Sequence, residues 1–342
     1  MIIYLFIQKQ STPRIINYSV GEWFGIREEL GINVMKSLGC LIHSWIVSEN
    51  NYNPDESLSN KIDWIRAIPF IMINLSCLLV FYVHFSWIAL SVAVILYFFR
   101  LFTIGAFYHR YFSHKAFKTN RFWQFIFAAV AGTSAQRGPL WWAAHHRQHH
   151  MVSDTPEDAH SPVQHGFWWS HVGWFLTKKH YHYNPERVRD LEQYPELVFL
   201  ERYDILMPAL LFLVLFIIGW ILQTYKPQWN TGIGEMLVWG FSVSLVAVFN
   251  TTVIINSLCH VYGTRRYITS DSSKNNLFFA LITLGEGWHN NHHHYPASAR
   301  QGFRWWEIDI TYYLIKLLEL MGIVWDVKPV PKSVVKQNLM KN

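Results

Sequence analysis

The chain has 342 residues, 51% of them hydrophobic, with 17 Trp, 17 Tyr, 24 Phe and a formal net charge of +6. That is too apolar and too aromatic for an ordinary soluble domain, and the basic residues are scattered without a recognition motif, which excludes nucleic acid as a partner. Three cysteines, Cys40, Cys77 and Cys259, with no CxxC, exclude a disulfide framework, an iron–sulfur cluster and a zinc ribbon.

Residues 1–60 read as a poorly ordered extension. Its apolar start, MIIYLFIQK, is short and lacks a basic lead and a small-residue cleavage site, so it is not a signal peptide; Met35 offers an alternative start. Four apolar stretches then reach the ~20 helical residues needed to cross a bilayer: 67–85, 86–108, 205–222 and 233–259. The first two abut and predict a tight hairpin. The last two are joined by QTYKPQWNTG and predict a second. Eleven Lys and Arg lie between Arg110 and Arg202, whereas the hairpin links carry only Lys226. The positive-inside rule therefore places 109–204 and both termini in the cytoplasm. The fold class that follows is an all-α integral membrane protein: four transmembrane helices in two hairpins, with a helical cytoplasmic cap, over residues 61–326. Residues 327–342 form a polar, basic tail. Phe122–Ala131 is too short to span and predicts a helix in the interface. Trp141-Trp142, Phe167-Trp168-Trp169 and Trp305-Trp306 suit an interfacial aromatic belt. Ile310–Trp325 predicts an amphipathic helix.

Histidine carries the chemistry. Ten of 18 fall within 109–114, 145–150 and 289–294. His109 and His114 follow the second span. His146, His149 and His150 form one HxxHH box, and His289, His292 and His293 another; positions i, i+3 and i+4 share one helix face. The second and fourth spans end on the same side, and His260 ends the fourth, with Asn256 one turn before it. A structural zinc takes four ligands and a catalytic zinc three, so nine imidazoles imply two metal ions. Imidazole suits zinc, copper, iron or nickel, so the reaction decides the metal. His145 and His294 flank the boxes but point about 100° off the ligand face. His160, His171, Asp158 and Glu286 are expected to fix ligand tautomers, and His165, His180 and His182 to lie at the surface. Arg100, inside the second span, is expected to snorkel or pair.

In order and spacing, HRYFSH at 109–114, the box at 146–150, SHVGW at 170–174, NSLCH at 256–260 and GEGWHNNHH at 285–293 resemble the membrane fatty acid desaturases, and in particular the Δ9 acyl-CoA (stearoyl-CoA type) branch, from about Ile62 to Trp325. The resemblance implies two Fe ions on His109, His114, His146, His149, His150, His260, His289, His292 and His293, with Asn256 reaching one through a water. It implies O2 as co-substrate and a long saturated acyl substrate, acyl-CoA above all, that gains a cis double bond at C9. It implies an acyl tunnel bent at residues that resemble Gln136, Trp142 and Thr252, and a headgroup contact resembling Lys178 and Lys179. Two positions depart from the pattern. Val253 replaces a second tunnel tryptophan, and Ala144-His145 replaces an Arg-Asp pair of the animal enzymes, which leaves CoA, acyl carrier protein and phospholipid open as carriers.

A saturated C–H bond offers no acidic proton and no leaving group, so the bound metals supply the oxidising chemistry and the protein supplies position. Each double bond takes two electrons from outside. A separate donor such as cytochrome b5, ferredoxin or rubredoxin is expected, and a basic surface favours an acidic one. The same boxes would serve a membrane diiron hydroxylase or alkane monooxygenase. The non-enzymatic alternative is a metal transporter, whose sites would lie near the bilayer midplane.

Overall fold

The computed structural model describes residues 39–53 and 59–340; most of the expected extension, and Met35, lie outside the described residues. The architecture below is that of the compact unit that begins at Ser44. Residues of 44–53 are bonded to its body: Trp45 Nε1 donates to Ile65 O at 2.7 Å and Ser48 N to Arg202 O at 2.7 Å.

Helices α1 (Trp64–Phe81) and α2 (Trp87–Ser113) form the first hairpin. They do not abut. Residues 82–86 link them, because the Ser86 hydroxyl accepts from Ala89 N at 3.1 Å and so starts α2 one residue later. Nor does α2 stop at Tyr108. Ile104–Ser113 winds as a π-helix, which carries the helix through the first histidine box. Helix α3 (Arg121–Gly132) lies against α2, with Phe127 stacked on Phe107 at 3.9 Å. Its buried face is Phe127, Ala128 and Ala131, while Phe122 stays exposed. Helix α4 (Pro139–Val152) carries the second box, and α5 (Pro195–Arg202) caps it: Glu201 Oε2 accepts from Leu140 N at 2.9 Å and Trp141 N at 3.0 Å. A carboxylate facing the positive end of a helix satisfies two orphan N–H groups at once.

Helices α6 (Leu206–Tyr225) and α7 (Ile233–Leu258) form the second hairpin. Gly219 lets them meet, since a Cβ there would lie 2.7 Å from Ile233 Cα. Helices α1 and α6 leave most of their apolar side chains exposed, whereas α2 and α7 form the buried pair. Between these two, Arg100 is wholly buried and donates to Ser244 Oγ at 2.7 Å, so it pairs and does not snorkel. Helix α8 (His289–His294) holds the third box, and α9 (Ile310–Leu320) follows. The expected helix to Trp325 ends early because the chain turns at Gly322, φ +71°, and straightens into β2 (Val324–Trp325), antiparallel to β1 (Lys118–Thr119). Lys328 extends this clasp, donating to Ala116 O at 2.8 Å and accepting from Ala299 N at 3.0 Å.

The aromatic clusters divide. Trp168 and Trp305 are exposed. Trp141 is not in an outer belt: it is buried, stacks on Trp174 at 5.5 Å and donates to His180 O at 2.9 Å.

Two stability predictions follow from these contacts. Gly219→Ala presses a methyl into backbone and should destabilise the hairpin by about 1–3 kcal/mol, read as a lower thermal midpoint in detergent. Burial pushes the Glu201 carboxyl up to about 7, against the pull of Arg137. The native state then holds this proton where the unfolded chain has released it, so stability falls as pH rises from 4.5 to 7. The loss is at most about 3 kcal/mol. Glu201→Gln should remove that component, so denaturation curves of the two proteins should diverge with pH.

Candidate metal centre

In an α-helix, residues five apart face different ways. The π-helical stretch changes this: His114 N bonds His109 O at 3.2 Å, the i→i+5 bond that brings both rings to one side, with centroids 4.9 Å apart. The 146–150 and 289–293 boxes sit on α4 and α8, and His260 lies two residues beyond the end of α7. Their ring nitrogens gather into two groups, each within 4.8 Å of one another: His109, His114, His146, His150 and His292 in the first, and His149, His260, His289 and His293 in the second.

Carboxylates stand behind the rings. His109 Nδ1 meets Glu286, His149 Nδ1 meets Asp158 at 3.0 Å, His260 Nδ1 meets Asp154 at 2.9 Å, and His293 Nδ1 meets Asp271 at 2.7 Å. Each such contact fixes the proton on Nδ1 and turns an Nε2 lone pair inward. The inward nitrogens crowd: His260 and His289 Nε2 lie 3.0 Å apart, His114 and His146 Nε2 2.8 Å, and His109 and His292 Nε2 3.0 Å. Two neutral lone pairs cannot bond each other, but nitrogens sharing one ion at about 2.1 Å and right angles would sit about 3.0 Å apart. Among the described residues, His149 Nε2 and His293 Nε2 are buried with no hydrogen-bond partner. The donor set therefore fits two metal ions.

The electrostatics agree. Burial, then the neighbouring histidines, drive His114, His146, His150, His289 and His292 well below the ordinary imidazole range, which keeps their lone pairs free. Burial alone would raise Asp154, Asp158 and Asp271, yet their histidine partners hold all three below the ordinary carboxylate range. Glu286 falls to about 2, burial being outweighed by Arg110 and His109. Arg110 is buried and bridges Glu286 Oε1 at 2.8 Å and Asp309 Oδ1 at 2.9 Å. Gly285, φ +123°, allows that approach, since a Cβ there would lie 2.4 Å from Asp309 Oδ1.

A cavity of about 700 Å³ reaches the centre, with His109, His146, His289 and Asn256 in its wall. Gln136, Trp142, Thr252 and Val253 line it too. Gln136 Nε2 donates to Thr252 Oγ1 at 3.2 Å, and Trp142 stacks on His146 at 5.0 Å. Lys178 and Lys179 do not join this wall. The Thr177 hydroxyl starts their short turn, which buries His180 and Tyr181 and leaves both lysines at the surface.

A sequence model of the fatty acid desaturase family matches residues 85–321. The chain belongs to that family. It is 36% identical over 284 residues to an sn-1 stearoyl-lipid 9-desaturase of Anabaena variabilis, covering 81% of this chain and 98% of that one. It is 38% identical over 260 residues to a chloroplastic palmitoyl-monogalactosyldiacylglycerol delta-7 desaturase of Arabidopsis thaliana, covering 75% of this chain and 66% of the plant protein. It is also 38% identical over 261 residues to an acyl-CoA 5-desaturase of Anemone leveillei, with 75% and 76% covered. This desaturase is thus an oxidoreductase, and with four helices of spanning length among the described residues it is a membrane protein.

Several groups in the desaturase sit elsewhere than expected. His180 is buried, bonded to Trp174 O at 3.1 Å. His182 is half-buried and accepts from Asn51 N at 3.0 Å. His171 touches no histidine of the two groups; it bonds Ser257 Oγ at 3.0 Å and Asn250 Oδ1 at 3.2 Å on α7. His160 does stand beside His149, rings 4.4 Å apart. His145 bonds His182 O and His294 bonds Val334 O, so neither turns to the centre. Asp154 and Asp271 carry no motif, and sequence reasoning missed them. So did it miss Asn290 and Asn291, whose buried side chains bond groups other than the histidines: Asn290 Oδ1 accepts from Arg266 N and Tyr267 N, both at 2.8 Å. Asn291 N donates to Asn275 Oδ1 at 3.0 Å.

Asp271→Asn and Glu286→Gln each remove an anionic acceptor behind an imidazole and should weaken metal binding about 10–100-fold. Metal retained per chain during dialysis against a graded chelator measures this. Stripping the wild type should also lower its thermal midpoint, because empty lone pairs then face one another.

Proposed function

We propose that this desaturase places a cis double bond at C9 of a saturated C16 or C18 acyl chain, using O2 and two irons. His109, His114, His146, His150 and His292 would hold one iron. His149, His260, His289 and His293 would hold the other, with Asn256 reaching it through a water. One observation carries the reading: a single cavity is walled both by three of these histidines, His109, His146 and His289, and by Gln136, Trp142 and Thr252. When bound, the iron pair supplies the oxidising power that O2 needs to attack an unactivated C–H bond.

The chain's own residues supply position. The Gln136–Thr252 bond ties the turn before α4 to α7, whose Leu245, Phe249 and Val253 also line the cavity. Trp142 presses the methylenes towards the His146 side. Asp154, Asp158, Asp271 and Glu286 accept from the Nδ1 of four imidazoles and hold those rings oriented. Charge asymmetry supports a cytoplasmic centre and cytoplasmic termini. There a separate acidic donor such as cytochrome b5, ferredoxin or rubredoxin would deliver two electrons per double bond. Its relatives are named for lipid-bound and CoA-bound chains alike. The acyl end is therefore a thioester or an oxygen ester, CoA being favoured by the motif resemblance.

Expression in a host without its own desaturase tests the proposal. A new cis-monounsaturated C16 or C18 acid, two hydrogens lighter than its precursor, is expected. A hydroxylated chain, or an unchanged profile from iron-loaded, reduced protein, would sink it. His149→Ala should abolish the product; retention of unsaturation would count equally against the metal assignment.

A further inference from the structure

At one place on the cavity wall two guanidinium groups enclose one aromatic ring. Arg66 lies 3.3 Å from the Tyr181 ring centroid and Arg137 3.9 Å from it. Among the described residues these are the two cations that line the cavity. Each is opposed by a carboxylate: Arg66 Nη1 by Asp63 at 2.8 Å, and Arg137 Nε by Asp204 at 3.4 Å. The pair is thus nearly neutral as a unit and suits an uncharged acceptor better than a polyphosphate.

Arg137 is poorly satisfied. Its bonds to Ser48 Oγ, 3.3 Å, and Tyr181 O, 3.4 Å, are at the limit of length. Its Nε is buried and has only the long ion pair to Asp204, without a hydrogen bond. A guanidinium carries five N–H donors in a fixed fork, and leaving buried ones idle is unfavourable. Its backbone is also held in the left-handed region, φ 69°, two residues after Ala135 at φ 52°. Non-glycine residues persist there only when the surroundings impose it; here Tyr108 OH donates to Arg137 O at 3.2 Å.

Position gives this group a role. Trp141, Trp142, His145 and His146 line the cavity from two successive turns of α4, so the cavity runs alongside the helix. Seven residue rises from Pro139, next to the Arg137 turn, to His146 make about 10 Å. An extended hydrocarbon advances about 1.25 Å per C–C bond of about 1.5 Å, so eight bonds also cover about 10 Å.

We infer that Arg137, braced on Tyr181 against Arg66, binds the carbonyl oxygen of the acyl ester and so sets which carbon lies beside the histidines. This rests on the desaturase reading above. It makes Arg137 the residue that fixes the double-bond position at C9. The carbonyl is common to a CoA thioester and a glycerolipid ester.

The test uses membranes from the desaturase-free host expressing the full chain, in two arms: labelled stearoyl-CoA, and membranes preloaded with a labelled stearoyl phospholipid. The arm that the wild type turns over identifies the carrier. In that arm Arg137→Gln should raise KM about tenfold and spread the double bond over neighbouring positions, located by mass spectrometry of derivatised products, with iron content unchanged. Arg137→Lys keeps the charge but not the fork and should show the same spread, weaker. An Arg137→Gln enzyme with wild-type iron, KM and a single isomer overturns the inference while leaving the desaturase reading intact. Should Arg137→Gln fail to accumulate, Arg137→Lys decides: an unchanged isomer ratio and KM in that variant overturns it. A wild type that makes no double bond in either arm overturns the underlying reading, and the inference with it.

Discussion

Nine imidazole lone pairs aimed into two small volumes repel one another, and much of the surrounding structure exists to hold them there. Four of the rings are pinned from behind by Glu286, Asp158, Asp154 and Asp271. Those carboxylates are themselves held. Arg110 grips Glu286, and Ser272 N donates to Asp154 Oδ2 at 2.8 Å. Asp154 N donates to Asp158 Oδ2 at 2.9 Å. Carboxylates held in this way fix the rings they back, and such support lets a site impose geometry on what it binds.

The membrane helices serve the same end. Apolar helices need no strong partners in lipid, and α1 and α6 make few. The buried α2 and α7 differ: both carry histidines of the centre at one end, and both contain π-helical stretches, Ile104–Ser113 and Met236–Val243. A π-turn shifts everything beyond it around the axis. On α2 that shift is what lets His109 and His114 share a side. The polar contacts within the bundle, Arg100 to Ser244 and Tyr97 to Thr251, lock the two helices in register. The rings at their ends then stay aligned.

The sequence made the spans and the boxes legible because both follow simple periods: a run of apolar residues, and histidines at i, i+3 and i+4. What could not be read depends on other kinds of order. The i+5 spacing of the first box makes sense only once the π-helix is seen. Asp154 and Asp271 are ordinary acids in ordinary loops, brought to His260 and His293 by chain paths with no period. The asparagines between His289 and His292 bolt α8 to the loop at Arg266 and to Asn275, contacts that no periodicity announces. Trp141 belongs to the core and not to a belt because Trp174 and His180, far along the chain, fold over it. Lys178 and Lys179 matched a motif by position, and the turn begun by Thr177 leaves both at the surface, outside the cavity wall.

The small clasp of β1 and β2 has an effect on timing. Val324 and Trp325 pair with the strand that follows the first histidines, and Lys328 joins that strand to the segment after the third box. During synthesis, therefore, the first histidines wait in an open cap while some two hundred further residues leave the ribosome. Each group of histidines joins residues of the second box to residues of the third, and the clasp follows the third, so neither group can be completed until most of the chain has been made.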